Sequence, residues 1–352
     1  MWLLLALACG SPDAPPDTLP AVARGPTAPA APDAAALTPI RIGWQTTWAT
    51  QGQLVGVLMH TDILARNGFS GDFKGFPYGG PLNEGALAGE VDVLFTADQP
   101  ALILASKAPN WGIIGRLMYN RVGMFVPPDS AVTAPAGLSG KRLAVPFGAA
   151  AQREALGAIA AAGLDPKKDV TVVNLGLEEI VGVVRAGATN GRWGDLDAAA
   201  AWDPTFAELE TSGRARTIAS SVVTSVVVMD DVYATAHAGA ESRFMTAMAM
   251  AYDVYRADPL RADGWFQEEA KRTFEPGVLA TAAAVEPNLS APDAAGIRVH
   301  LTPEDVAGIT TAARFMEGAG LLKAPLAVEG VVRPVATTPP PPGDGKPAVI
   351  GL

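Results

Sequence analysis

Val91-Asp92-Val93-Leu94-Phe95-Thr96-Ala97-Asp98-Gln99-Pro100 is the stretch that decides the fold. Val91–Phe95 is an apolar, β-favouring run and reads as a strand. Thr96 stands three residues before Gln99, the spacing of a capping box, and predicts a helix over Gln99–Lys107. A strand passing through a short polar turn into a helix is the repeating unit of a mostly parallel α/β sheet.

The same alternation extends both ways. Upstream, Ile40–Trp44 reads as a strand, followed by a helical face of Leu54, Val57, Leu58, Thr61, Leu64 and Ala65 that stops at Gly68. Downstream, Gly112–Leu117 and Val122–Val126 read as two strands, and Pro127-Pro128 breaks the rhythm. A second unit follows: strand Leu143–Val145, helix Ala149–Ala162, strand Val170–Val173, helix Glu178–Ala186 and strand Ala198–Ala201. Asp203-Pro204 supplies an N-cap and a first-turn proline for a helix over Thr205–Ser212. Val222–Met229 reads as a buried strand returning to the first unit. The remainder is helical: Ser242–Ala257, Pro259–Thr273, Gly277–Val285 and a last helix from Thr302-Pro303 to about Glu317.

Composition narrows the function. The chain has 352 residues, 49% hydrophobic, with 26 Lys+Arg against 36 Asp+Glu. A net charge of −10 argues against a general nucleic-acid binder. One cysteine, Cys9, and three histidines, His60, His237 and His300, leave no disulfide framework and no Cys/His metal site. GxGxxG after a strand, a Walker A loop, GxSxG and HExxH are all missing from the sequence. No catalytic residue, metal or cofactor is expected.

Both ends read as tethers. Met1–Ala8 is a short apolar stretch before Cys9-Gly10-Ser11, like a truncated bacterial lipoprotein signal whose Cys9 is acylated. Residues 10–37 are rich in Ala and Pro without periodicity, the composition of a flexible linker. Residues 336–352 form a second Pro-rich segment, expected to be disordered.

Open α/β sheets bind ligands at the carboxyl ends of their strands. Those loops carry the candidate ligand-binding residues. After the first strand come Trp44, Gln45, Thr46, Trp48 and Gln51, where indoles stack on planar or apolar groups and amides read polar edges. Trp44 reads equally well as a plug in the core. Tyr78, Gly79 and Gly80 form a turn whose backbone can approach a ligand closely. Thr96, Asp98 and Gln99 open one helix; Phe147, Gly148, Ala149, Ala150 and Gln152 open another, each presenting free backbone N–H groups. Trp202 and Asp203 face the cleft from the second unit, Trp202 as a lid and Asp203 more as a cap than as a contact.

Several stretches, in order, resemble the substrate-binding proteins of ABC importers for nitrate, sulfonates and taurine, a superfamily that includes binders of thiamine pyrimidine precursors. They are Ile42–Gln45, Gly85–Val93, Thr96–Ala101, Gly140–Gly148, Ala162–Pro166 with Val172–Leu175, and Asp197–Pro204. The resemblance implies a two-lobed periplasmic-binding-protein fold of α/β class, each lobe a mixed, mostly parallel sheet flanked by helices. Lobe 1 would span 38–126 plus 220–335, and lobe 2 would span 127–219. It also implies hinge closure on a small ligand, an ABC permease as partner, a periplasmic location and a monomeric state. In sulfonate and taurine binders the turn after the strand matching Leu143–Val145 carries Ser or Thr hydroxyls. Here it is Ala149-Ala150-Ala151, which favours a less charged, more apolar or aromatic ligand. Arg116, Arg121 and Arg153 are the candidate cleft cations. The alternatives are a dehydratase or lyase on the same scaffold, and a ligand-sensing partner of a membrane receptor.

Overall fold

The computed structural model describes Leu37–Arg333, Val335 and Pro347–Ile350. Cys9 and its lipidation, the linker through Ala36 and most of the C-terminal segment lie outside the described residues.

The strands are β1 Thr38–Gln45, β2 Phe69–Phe76, β3 Val93–Ala97, β4 Trp111–Val126, β5 Arg142–Val145, β6 Thr171–Asn174, β7 Ala198–Trp202 and β8 Arg216–Asp230. The helices are α1 Gln51–His60, α2 Ile63–Arg66, α3 Gly79–Leu87, α4 Asp98–Lys107, α5 Ala150–Ala161, α6 Leu177–Arg185, α7 Thr205–Thr211, α8 Asp231–Ala236, α9 Ala240–Ala257, α10 Pro259–Ala270, α11 Val278–Ala283 and α12 Pro303–Ala319.

All eight strands join one sheet in the order β2-β1-β3-β8-β4-β7-β5-β6. Two parallel triplets, β2-β1-β3 and β7-β5-β6, flank an antiparallel pair, β8 and β4. Every residue of β3 and β7 is buried, as expected of strands covered on both faces. Helices therefore clothe both sides, and the α/β class read from the sequence holds.

Four local readings change. Gly112–Leu117 and Val122–Val126 are not two strands: they lie in the single 16-residue β4. Between the two runs, Met118, Tyr119, Asn120 and Arg121 pair with Ser225, Thr224, Val223 and Val222 of β8, and the Tyr119 and Arg121 side chains bond Asp305 and Asp203. β8 pairs with β4 from Trp111↔Asp230 to Val126↔Arg216, absorbing three register shifts. The fully buried Arg116 guanidinium meets both Glu286 oxygens at 2.7 and 2.9 Å and also donates to the Arg298 carbonyl. The predicted capping box at Thr96 does not form either; α4 starts at Asp98 with Ala97 as its N-cap, because Thr96 is still in β3. β2 carried no signal, since its residues are mostly exposed. Finally, the expected disorder of the C-terminal segment does not reach Pro347–Ile350. Val349 forms an antiparallel bridge with Thr61, Asp62 N–H donates to the Ala348 carbonyl, and Ile350 N–H donates to the His60 carbonyl.

The Arg116–Glu286 pair ties β4 to the C-terminal helices, and Glu286 also accepts from the Tyr119 and Asn288 N–H groups. Removing one partner strands a buried charge. Glu286→Ala should lower the unfolding free energy by about 3–5 kcal/mol; urea denaturation followed by circular dichroism measures it.

Candidate ligand-binding site

The loop leaving β1 is pinned before it can read a ligand. Gln51, the first residue of α1, folds its carboxamide back onto Gln45: its Oε1 accepts from Gln45 N–H and its Nε2 donates to the Gln45 carbonyl, both at 2.8 Å. Gln45 Nε2 donates to the Phe95 carbonyl at 3.1 Å, joining the loop to β3. Thr46 N–H and Oγ1 both bond the Phe76 carbonyl, and Thr47 Oγ1 donates to the Pro77 carbonyl. Between these anchors Thr50 takes φ 65°, ψ −55°, a region a β-branched residue rarely enters. The amides of Gln45 and Gln51 thus hold the loop's shape.

That shape delivers Trp48 to a small cavity of about 20 Å³. Its walls are Gln45, Trp48, Ala97 and Pro100 on one side, and Ala149, Ala150, Ala151 and Trp202 on the other, with Val122 of β4 between them. Of the residues proposed from sequence, Gln45, Trp48, Ala149, Ala150 and Trp202 meet here. Ala97 and Ala151 lie in the turns expected to hold the ligand, whereas Pro100 and Val122 were not foreseen as wall residues. Trp48 Nε1 in this wall is buried without a hydrogen-bond partner among the described residues.

The remaining candidates surround the cavity without lining it. Trp44 is buried in the main core. Tyr78 packs on Trp202, with ring centroids 6.4 Å apart. A Cβ on Gly79 would lie 2.7 Å from Pro100, so this glycine allows α3 to close on α4. Gly80 sits beside Tyr78 and Phe147, and Phe147 itself is exposed. Gly148 takes φ 81°.

A second group of contacts locks the two sides together. Arg153 of α5 places Nη2 at 2.9 and 2.7 Å from the Asp98 carboxylate of α4, while its Nη1 meets Glu154 at 2.9 Å. Gln152 Oε1 accepts from Gly148 N–H and from Gln99 Nε2. Trp202 Nε1 donates to the Thr47 carbonyl at 3.2 Å, and Ala49 N–H reaches the Asp203 carbonyl. Asp203 also caps α7 through Ala207 N–H and pairs with Arg121, whose guanidinium lies over the Phe206 ring and meets Glu210. Burial pushes the carboxyls of both Asp98 and Asp203 up, against the pull of Arg153 and Arg121 respectively. All three candidate cleft arginines are therefore ion-paired: Arg116 with Glu286, Arg121 with Asp203 and Glu210, and Arg153 with Asp98 and Glu154.

The family model described as NMT1/THI5 like matches residues 86–262, half of the chain. The chain belongs to the NMT1/THI5-like family. No curated protein matches its sequence. Solved structures do. The alkanesulfonate-binding protein SsuA from Xanthomonas axonopodis pv. citri, bound to MOPS, is 22% identical with a TM-score of 0.70, over 86% of this chain and 100% of that one. The periplasmic aliphatic sulphonate binding protein SsuA from Escherichia coli is 15% identical with a TM-score of 0.67, over 90% and 98%. The desulfurization enzyme DSZB is 18% identical with a TM-score of 0.59, over 84% and 96%. These likenesses establish the periplasmic-binding-protein fold for this NMT1/THI5-like chain.

Arg153→Met leaves Asp98 buried without its cation. The unfolding free energy should fall by about 3–5 kcal/mol at about pH 7. The Asp98 carboxyl titrates above 3.8 in the folded chain, and higher still once Arg153 is gone. The folded state then binds the proton first, so stability falls as pH rises from 3.8 through the folded value. The loss should be smaller at about pH 4. Denaturant melts at both pH values read this directly, and equal losses would contradict it.

Proposed function

We propose that the protein is an extracytoplasmic solute-binding component of an ABC importer, closing on a small organic ligand between two lobes, residues 38–126 with 220–335 and residues 127–219. One observation carries the reading: a cavity with tryptophans on opposite walls sits where the starts of α4 and α5 face each other, bridged by side chains from both sides. Space for about one water means that a ligand enters only when those walls part. Closure by hinge bending is the usual way such folds take a ligand.

The ligand on this reading is uncharged or weakly charged, with an aromatic or alkyl body and an acceptor for Trp48 Nε1. Three arginines already paired and an Ala149-Ala150-Ala151 turn support that choice over a sulfonate. Cys9, outside the described residues, is the proposed lipid attachment point, followed by the linker. Among the described residues no helix is long and apolar enough to cross a membrane. The partner is an ABC permease, and the protein acts as a monomer.

The likeness to DSZB keeps an enzyme as the second reading. Little in the cavity favours it. No cysteine lies among the described residues. His60 stacks on Trp265 and bonds Glu269, and His237 bonds the Tyr233 carbonyl; neither lines the cavity.

Titration calorimetry with taurine, alkanesulfonates, nitrate, pyrimidines and apolar carboxylates, paired with small-angle scattering, tests the transport reading. One solute should bind and compact the chain. Trp48→Phe should weaken that binding by about 0.5–1.5 kcal/mol, the value of one hydrogen bond. Turnover of a solute without stable binding would favour the enzyme. Anchoring has its own check: Cys9→Ala should move the protein from the membrane to the soluble fraction on cell fractionation.

A further inference from the structure

A second hollow is much larger than the cavity around Trp48. A groove of about 490 Å³ runs between α5 and α12, floored by the stretch where β4 and β8 cross toward β7. That volume falls within the range of small-molecule sites, and about 150 Å³ of apolar space already suffices for benzene.

Side-chain size keeps the groove open where larger residues would fit. A Cβ on Gly308 of α12 would meet nothing within 4 Å, and one on Gly157 of α5 would touch only the Phe315 ring at 3.9 Å. Gly123 in the floor is different: its Cβ position is taken by the Phe206 ring at 2.2 Å. Several of the lining polar groups are already engaged, while Arg153 Nε is buried without a partner among the described residues. Arg153 is held by Asp98 and Glu154, the Ser221 hydroxyl donates to Glu154 at 2.6 Å, and the Thr311 hydroxyl donates to the Ala307 carbonyl. An ionic ligand would have to break one of these pairs, whereas an uncharged one breaks none.

We propose that this groove is a second binding site, taking an uncharged aromatic molecule of two or three rings. The site does not depend on the solute-binding reading of the Trp48 cavity. Its floor is the strand crossing at Val122↔Trp202 and Gly123↔Ala201. An occupant therefore bears on the strands that join the two halves of the sheet, and touches Arg153, which clasps Asp98 across them.

The test uses the neutral fluorophore N-phenyl-1-naphthylamine with the full chain. Wild type should bind it saturably, one to one. Gly308→Leu and Gly157→Leu fill the groove from opposite walls. Each should weaken binding at least tenfold while leaving circular dichroism and Tm unchanged. Two independent variants guard against a fault in either helix. Absence of saturable binding to wild type would overturn the proposal. So would undiminished binding to both well-folded variants, which would place the probe elsewhere.

Discussion

The antiparallel ladder of β4 on β8 is the constraint on which everything else rests. It runs from Trp111↔Asp230 to Val126↔Arg216 and, among the described residues, joins the two parallel triplets in the sheet. Parallel strands need crossovers, so each triplet is built from its own β–α units. Among the described strands, neither triplet pairs with the other except through these two long strands. The buried Arg116–Glu286 pair fixes β4 against the C-terminal helices, making one end of the ladder rigid. Val122, further along, lines both the Trp48 cavity and the larger groove. Both hollows thus lie where the chain crosses between its halves.

Charge in this protein works locally. Asp98, Asp203 and Glu286 are almost wholly buried, and each is matched by an arginine from a distant part of the chain. The pairs join elements, which is why they leave no cation over for a ligand in the cavity wall. A net charge of −10 says nothing about that wall. It is made of alanine, valine, proline, Gln45 and two indoles, one of which keeps a free N–H.

The class of fold was legible because its signal is periodic and local. Strand–helix alternation and apolar runs such as Val93–Ala97 and Ala198–Trp202 need no partner to be read. What failed was whatever depends on distant partners. β4 looks broken because the polar stretch Tyr119-Asn120-Arg121 is held by partners far away in sequence, β8 along the ladder and Asp305 and Asp203 at the side chains. β2 is invisible because an exposed edge strand needs no apolar alternation. At the candidate site, loop position after a strand pointed to Gln45, Trp48, Ala149, Ala150 and Trp202, which line one cavity. It did not tell a ligand-facing amide from one that holds a loop, and Gln51 belongs to the second kind.

By itself, the sequence determined the α/β class, the order of the units, and the loops that face one another, because hydrophobic period and turn chemistry are short-range properties. Tertiary structure alone decided which side chains in those loops are free. The Gln51 carboxamide is taken up by the Gln45 backbone, Gln45 Nε2 by the Phe95 carbonyl, and Asp98 by Arg153, 55 positions away. Trp48 Nε1 is left over. A buried polar group must find a partner wherever the fold brings one, and no local pattern records where that is.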